Sequence, residues 1–166
     1  MTRRCADTAP LALDEAPRSH VLHPGDVVCA DRGERLETLL GSCVAVLLTD
    51  PRRTVGAMCH IVHPAGLPGG DTAFAAPALE RMNALLLMRA IVPRLCHAWV
   101  IGGGNMFPGR YDAGHVGDAN ARWVLQALHD DGVWVLGQDL GGPRYRRVRW
   151  TVGSEGPQVS AVEMAK

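Results

Sequence analysis

Two residues of this 166-residue chain have the types and spacing for nucleophilic chemistry, Cys43 and His60. Each lies at the outer end of a β-prone run: Cys43-Val44-Ala45-Val46-Leu47-Leu48-Thr49 on one side, Thr54-Val55-Gly56-Ala57-Met58-Cys59-His60-Ile61-Val62 on the other. Asp50-Pro51-Arg52-Arg53 between them is a turn signal, so the segment is expected to form a hairpin. A four-residue loop centred between Pro51 and Arg52 pairs positions whose numbers sum to 103, which makes Cys43 and His60 direct cross-strand neighbours on one face. A thiol that titrates near pH ~8.5 is mostly protonated in a cell, and an adjacent imidazole can take its proton to leave a thiolate beside an imidazolium. Such a pair attacks carbonyl carbon. The plainer reading is a small buried thiol and a hydrogen-bonded core histidine, and the register by itself leaves both readings open.

The residues just before the thiol add a second element. In Leu40-Gly41-Ser42-Cys43 a glycine stands where the chain must turn sharply, so backbone N–H groups around Gly41 and Ser42 can converge as an oxyanion hole. Around this centre the chain reads as follows. Val21 to Ala30 forms a strand broken by a turn at Pro24-Gly25, Asp31 to Glu34 turns, and Arg35 to Leu40 leads into the bend at Gly41. Residues 63–76 are a long loop near the site, punctuated by Pro64, Gly66, Pro68, Gly69 and Gly70. A helix opens at Pro77, carries Leu79, Met82, Leu85 and Leu86 as a core face, and stops before Pro93. His97 to Ile101 is a buried strand, Asp118 to Asp130 a second helix with Gly132 past its end, and Val133–Leu136, Tyr145–Val152 and Gln158–Val162 are closing strands. Strands outnumber helices. The expected class is therefore α+β, a layered α/β sandwich of mostly antiparallel strands with two main helices. Residues 1–20 are expected to be a flexible extension, 21–162 a single domain, and 163–166 a tail.

Composition narrows the partners. Lys plus Arg number 17 and Asp plus Glu 17, so the chain carries no electrostatic signature of nucleic-acid binding or of attraction to an anionic membrane. Cysteines at 5, 29, 43, 59 and 96 are odd in number, lack paired spacing and follow no signal-like apolar stretch, which points to the cytoplasm. No run reaches the ~20 apolar residues needed to span a bilayer, so no membrane insertion is expected.

Other candidates carry less. Gly102-Gly103-Gly104 is not a nucleotide fingerprint, since Phe107 stands where a third glycine would be required. Close backbone approach fits it better, with the Asn105 amide placed to hydrogen-bond a substrate or brace the loop. Cys59, His60 and His63 with Cys43 make a loose metal-ligand set, but Cys59 should face away from His60, and no metal or other cofactor is expected. Arg144 to Trp150 alternates faces and concentrates positive charge, either as a charged edge strand or as a docking patch for an acidic protein surface.

Taken together, Leu39-Leu40-Gly41-Ser42-Cys43-Val44-Ala45-Val46, Gly56-Ala57-Met58-Cys59-His60-Ile61-Val62-His63-Pro64 and Gly102-Gly103-Gly104-Asn105-Met106-Phe107 resemble the CheD family of chemoreceptor glutamine deamidases. Pro24-Gly25-Asp26, Gly117 with Asn120, Asp139-Leu140-Gly141-Gly142 and Arg146-Arg147-Val148 extend the resemblance over roughly residues 21–155. It implies a cysteine hydrolase-like fold, with Cys43 as nucleophile and His60 as base. The implied reaction is a protein-glutamine glutaminase reaction: selected glutamines on the cytoplasmic domains of methyl-accepting chemotaxis receptors become glutamate with release of ammonia. A CheC-type phosphatase is a partner implied for some bacteria, and a non-catalytic adaptor binding receptor or phosphatase is the alternative. The family's third site residue is a threonine six residues before the cysteine. Here Glu37 holds that place, so the resemblance implies either that Thr38, five residues ahead, serves the role after a local shift or that the role is filled otherwise.

Overall fold

The computed structural model describes residues 16–110 and 114–162. Residues 1–15 of the expected extension and the expected tail at 163–166 lie outside the described residues. Among those described are nine strands and two α-helices, in the order β1 (Ser19–Leu22), β2 (Val27–Asp31), β3 (Arg35–Leu40), β4 (Val44–Thr49), β5 (Val55–Ile61), α1 (Ala75–Met88), β6 (His97–Gly102), α2 (Val116–Asp130), β7 (Trp134–Leu140), β8 (Tyr145–Thr151) and β9 (Gln158–Val162). The first strand thus begins at Ser19, inside the segment expected to be flexible. Pro24-Gly25 does more than interrupt a strand, because β1 and β2 on either side of it enter different sheets.

The sheets have four strands, in order β1-β3-β8-β9, and five strands, in order β2-β5-β4-β6-β7. Only β1 with β3 and β6 with β7 pair in parallel; the other ladders are antiparallel, so the α+β class read from the sequence is the one observed. Three layers result. Both helices cover one face of the five-stranded sheet, where Val44, Val46, Ala57, Cys59 and Ile61 meet Leu79, Met82, Leu86, Val124 and Leu128. Its other face packs on the four-stranded sheet through Ala45, Leu47, Met58 and Ile101 against Leu36, Leu40, Val148 and Trp150. Every residue of β4 and β5 is buried because both faces are covered, which is why these strands read as unbroken apolar runs. Gly56 lets the sheets approach closely, since a Cβ there would lie 2.5 Å from the Trp150 ring.

Three expectations need correction. Strand β8 is not an edge: it lies between β3 and β9, with Arg147 and Arg149 turned outward and Arg146, Val148 and Trp150 inward. Strand β7 runs on to Leu140, past Gly137 and polar residues that break the sequence signal, because its parallel ladder with β6 continues through a bulge. Helix α1 opens at Ala75, ahead of Pro77, and ends at Met88, with Ala90 in left-handed conformation (φ 58°) closing it before Pro93.

Candidate active site

The ladder between β4 and β5 pairs Ala45 with His60 and Val44 with Ile61, so His60 is not directly opposite Cys43. The reason lies in the turn. The Asp50 carbonyl accepts from Arg53 N–H at 2.8 Å, Arg53 then takes a left-handed conformation (φ 55°), and the Asp50 carboxylate accepts from Thr54 N–H at 2.8 Å and Val55 N–H at 3.0 Å. This longer loop slides the register by two residues. A slip of two keeps parity, so Cys43 and His60 remain on one face of the sheet as diagonal neighbours, with Cβ atoms on the order of 7 Å apart. Cys43 packs with Ala45 and Leu47 on the inter-sheet side, whereas Cys59 faces the helices.

Thr38 reaches the same place from the other sheet. Residues of β3 alternate, so Leu36, Thr38 and Leu40 point inward and Glu37 points out, where its carboxylate lies 3.3 Å from Arg149 and 3.8 Å from Arg147. The buried Thr38 Oγ1 lies 2.8 Å from His60 Nδ1 and 2.8 Å from the Leu22 carbonyl oxygen. A hydroxyl has one proton to donate, and the Leu22 carbonyl can only accept it. Thr38 therefore accepts from Nδ1–H, which places the imidazole proton on Nδ1 and the lone pair on Nε2. That Nε2 is buried and has no hydrogen-bond partner among the described residues.

Burial sets the charge states. His60, 3% exposed, is pushed down to about 4 by desolvation, against which the Asp26 carboxylate pulls weakly upward. Desolvation raises the Cys43 thiol above its ordinary value. Both shifts favour the neutral pair, so the resting site holds a thiol and an imidazole, not the thiolate–imidazolium pair that sequence reasoning allows. A thiol proton would move to Nε2 only as the sulfur attacks. That is general-base chemistry.

The bend before the thiol is held on three successive carbonyls. Gly41 O accepts from Gly104 N–H at 2.9 Å, Ser42 O from Asn120 Nδ2 at 3.4 Å and Cys43 O from Gly103 N–H at 2.8 Å. Because a peptide's N–H points opposite its C=O, anchoring these oxygens turns the N–H groups of Ser42 and Cys43 away from Gly104 and Asn120. Gly102 makes this approach possible: a Cβ there would sit 2.2 Å from Cys43 O, and its φ is +119°. Asn105, expected to touch substrate or brace its loop, accepts from Phe107 N–H at 3.0 Å through its side-chain oxygen. Its own N–H donates to Gly142 O at 3.0 Å.

Sequence reasoning passed over two residues at this end of the molecule. Asn120 Nδ2 also donates to Val62 O, at 2.9 Å. Arg146, 1% exposed, reaches across from β8 to Asp139 Oδ1 on β7, with Nε at 3.1 Å and Nη2 at 3.0 Å, and Nη2 also donates to Gly141 O at 2.5 Å. Both belong to motifs that mark the family resemblance, which is the signal the sequence offered; their burial shows only in the fold. The loop expected over 63–76 ends at residue 74, just before α1 begins, and it folds back onto the end of β5 so that the His63 and Phe74 rings meet tilted at 38° with centroids 4.9 Å apart. Leu67, Phe74, Phe107 and Val116 are exposed hydrophobics on the segments around the site.

Fold and site together define a layered α+β protein with a thiol, an imidazole and a hydroxyl brought to one end of the interface between its sheets. Comparison with known proteins narrows that class. The family model described as CheD chemotactic sensory transduction matches residues 66–159. "Probable chemoreceptor glutamine deamidase CheD 2" of Albidiferax ferrireducens is 34% identical over 151 residues, covering 87% of this chain and 87% of that protein. "Probable chemoreceptor glutamine deamidase CheD" of Pseudomonas syringae pv. syringae is 34% identical over 134 residues, covering 77% of this chain and 76% of that protein. The chain belongs to the CheD family. Among solved structures, a Neisseria meningitidis protein of the DUF152 family matches with a TM-score of 0.47 and 15% identity, covering 71% of this chain and 54% of that one, a likeness too distant to bear on the site. Among the described residues no helix is long and apolar enough to cross a membrane.

Proposed function

We propose that this protein deamidates selected glutamine side chains of methyl-accepting chemotaxis receptors, with Cys43 as nucleophile, His60 as general base and Thr38 holding the imidazole. The observation that carries the reading is the hydrogen bond from His60 Nδ1 to Thr38 Oγ1, which leaves Nε2 as a buried, unpartnered acceptor on the face that bears Cys43. As Sγ attacks the carboxamide carbon, its proton passes to Nε2, and the C=O electron pair moves onto an oxyanion held by N–H groups at Ser42 and Cys43. Collapse of this intermediate breaks the C–N bond, the nitrogen takes the proton from His60, and ammonia leaves a thioester on Cys43. Water then attacks the thioester, His60 takes its proton and returns it to the departing sulfur, and the product is glutamate.

A receptor glutamine on a helix is presented side-on, which suits an end of the molecule rimmed by loops and by the exposed Leu67, Phe74 and Phe107 better than a closed pocket. The names of the two relatives support the substrate class. The test is incubation with purified receptor cytoplasmic domains, mapping conversion of glutamine to glutamate by peptide mass spectrometry. Conversion by the wild-type chain and none by Cys43→Ala is the expected result. Binding without conversion would replace this reading with that of a non-catalytic adaptor.

A further inference from the structure

The ladder joining the strand of the thiol to the strand of the imidazole ends at Val44 and Ile61. Cys43 and Val62 lie beyond it, and among the described residues no main-chain bond joins the bend carrying Cys43 directly to the end of β5, the bend being tied instead to Gly103 and Gly104 after β6. One side chain spans that gap. Asn120, fully buried on α2, donates both amide protons to carbonyls, Ser42 O at 3.4 Å and Val62 O at 2.9 Å. Ser42 immediately precedes Cys43, and Val62 follows His60 by two residues.

The amide is not what packing alone would put there. Its Oδ1 is buried with no hydrogen-bond partner among the described residues, and an unmatched buried acceptor weakens a fold. An apolar side chain of similar volume would remove that acceptor, at the cost of the donors that Asn120 gives to the Ser42 and Val62 carbonyls. What it could not do is hold two carbonyls from different strands on one rigid plane. Placement matters here because a displacement of about 1 Å between reacting groups can cost on the order of a hundredfold in rate.

We propose that Asn120 is a positioning residue that sets the separation and alignment of Cys43 and His60. This rests on the Cys43–His60 chemistry proposed above, and its test needs no receptor. The full-length chain is treated with iodoacetamide, and the rate at Cys43 is read by peptide mass mapping in the wild type, His60→Ala, Asn120→Asp and the double variant. Asn120→Asp is isosteric, and Asn120→Ser, which keeps one donor, is read in parallel so that a folded variant is available. Each single change is expected to slow alkylation of Cys43 by about tenfold, and the double variant to lie within about twofold of His60→Ala, because a misplaced imidazole cannot be lost twice. Slowing of equal size in the His60→Ala background would show general loosening and overturn the proposal. So would alkylation of the Asn120 variants at the wild-type rate, which leaves the Cys43–His60 pair standing. A wild-type rate in His60→Ala would remove the pair itself, and with it anything for Asn120 to position.

Discussion

Acidification gives the most direct test of how His60 is held. Its imidazole titrates at about 4 in the folded chain against 6.5 when unconstrained, because burial disfavours the charged form. As pH falls below 6.5 the unfolded chain takes up a proton that the folded chain refuses. The stability associated with a neutral His60 is therefore complete above pH 6.5 and is lost progressively as pH falls toward about 4, where the folded state protonates too. At 1.36 kcal/mol per pH unit, the interval corresponds to about 3 kcal/mol. Denaturant unfolding at pH 7, 6, 5 and 4, comparing wild type with His60→Gln, isolates this contribution. The carboxylates with lowered values, Glu34, Asp50 and Asp139, have reference values of 4.5 and below, so they act mainly at the acid end of the interval and equally in both proteins. The expected outcome is a wild-type protein that loses about 3 kcal/mol more than His60→Gln between pH 7 and pH 4. Parallel curves for the two proteins would refute the reasoning, since they would mean that His60 titrates alike in both states.

Thr38→Val keeps shape but leaves His60 Nδ1–H and the Leu22 carbonyl without their partner, so it should cost about 2 to 4 kcal/mol in urea unfolding. It should also slow deamidation about a hundredfold in a receptor peptide assay, and near wild-type turnover would remove Thr38 from the site. The acid limb of kcat/KM should fall near pH 4, the value of His60 in the free protein, and a limb at 6.5 would contradict a buried base. Gly102→Ala forces a Cβ toward the Cys43 carbonyl at a positive φ; we expect a loss of about 3 kcal/mol in thermal or chemical melting, with lower activity in whatever remains folded. Asp139→Ala strands the buried Arg146 guanidinium and should destabilise by about 3 kcal/mol, whereas an unchanged unfolding midpoint would mean that water reaches Arg146.

Much of the fold was legible in the order and spacing of the residues. The β-prone runs on either side of Asp50-Pro51 announced the hairpin of β4 and β5, the apolar spacing in α1 and α2 announced two helices with a core face, and alternation along β4 and β5 put Cys43 and His60 on one side for any register shifted by an even number of residues. Alternation survives a slip of two residues, and this is why the face was legible when the exact pairing was not. The slip came from the Asp50 carboxylate capping a turn with Arg53 in left-handed conformation, a local choice that turn composition does not announce. The other choices were made where the layers meet. Whether Thr38 or Glu37 faces the imidazole depends on how β3 lies across from β5, and these strands belong to different sheets. The same holds for Arg146, which reads as one charge among several on a basic strand until β7 brings Asp139 to it, and for Asn120, whose helix must first cross the end of the hairpin. Periodicity reports which way a side chain points from its own strand. What it meets there is set by a second element far along the chain, and that information appears only when the layers pack.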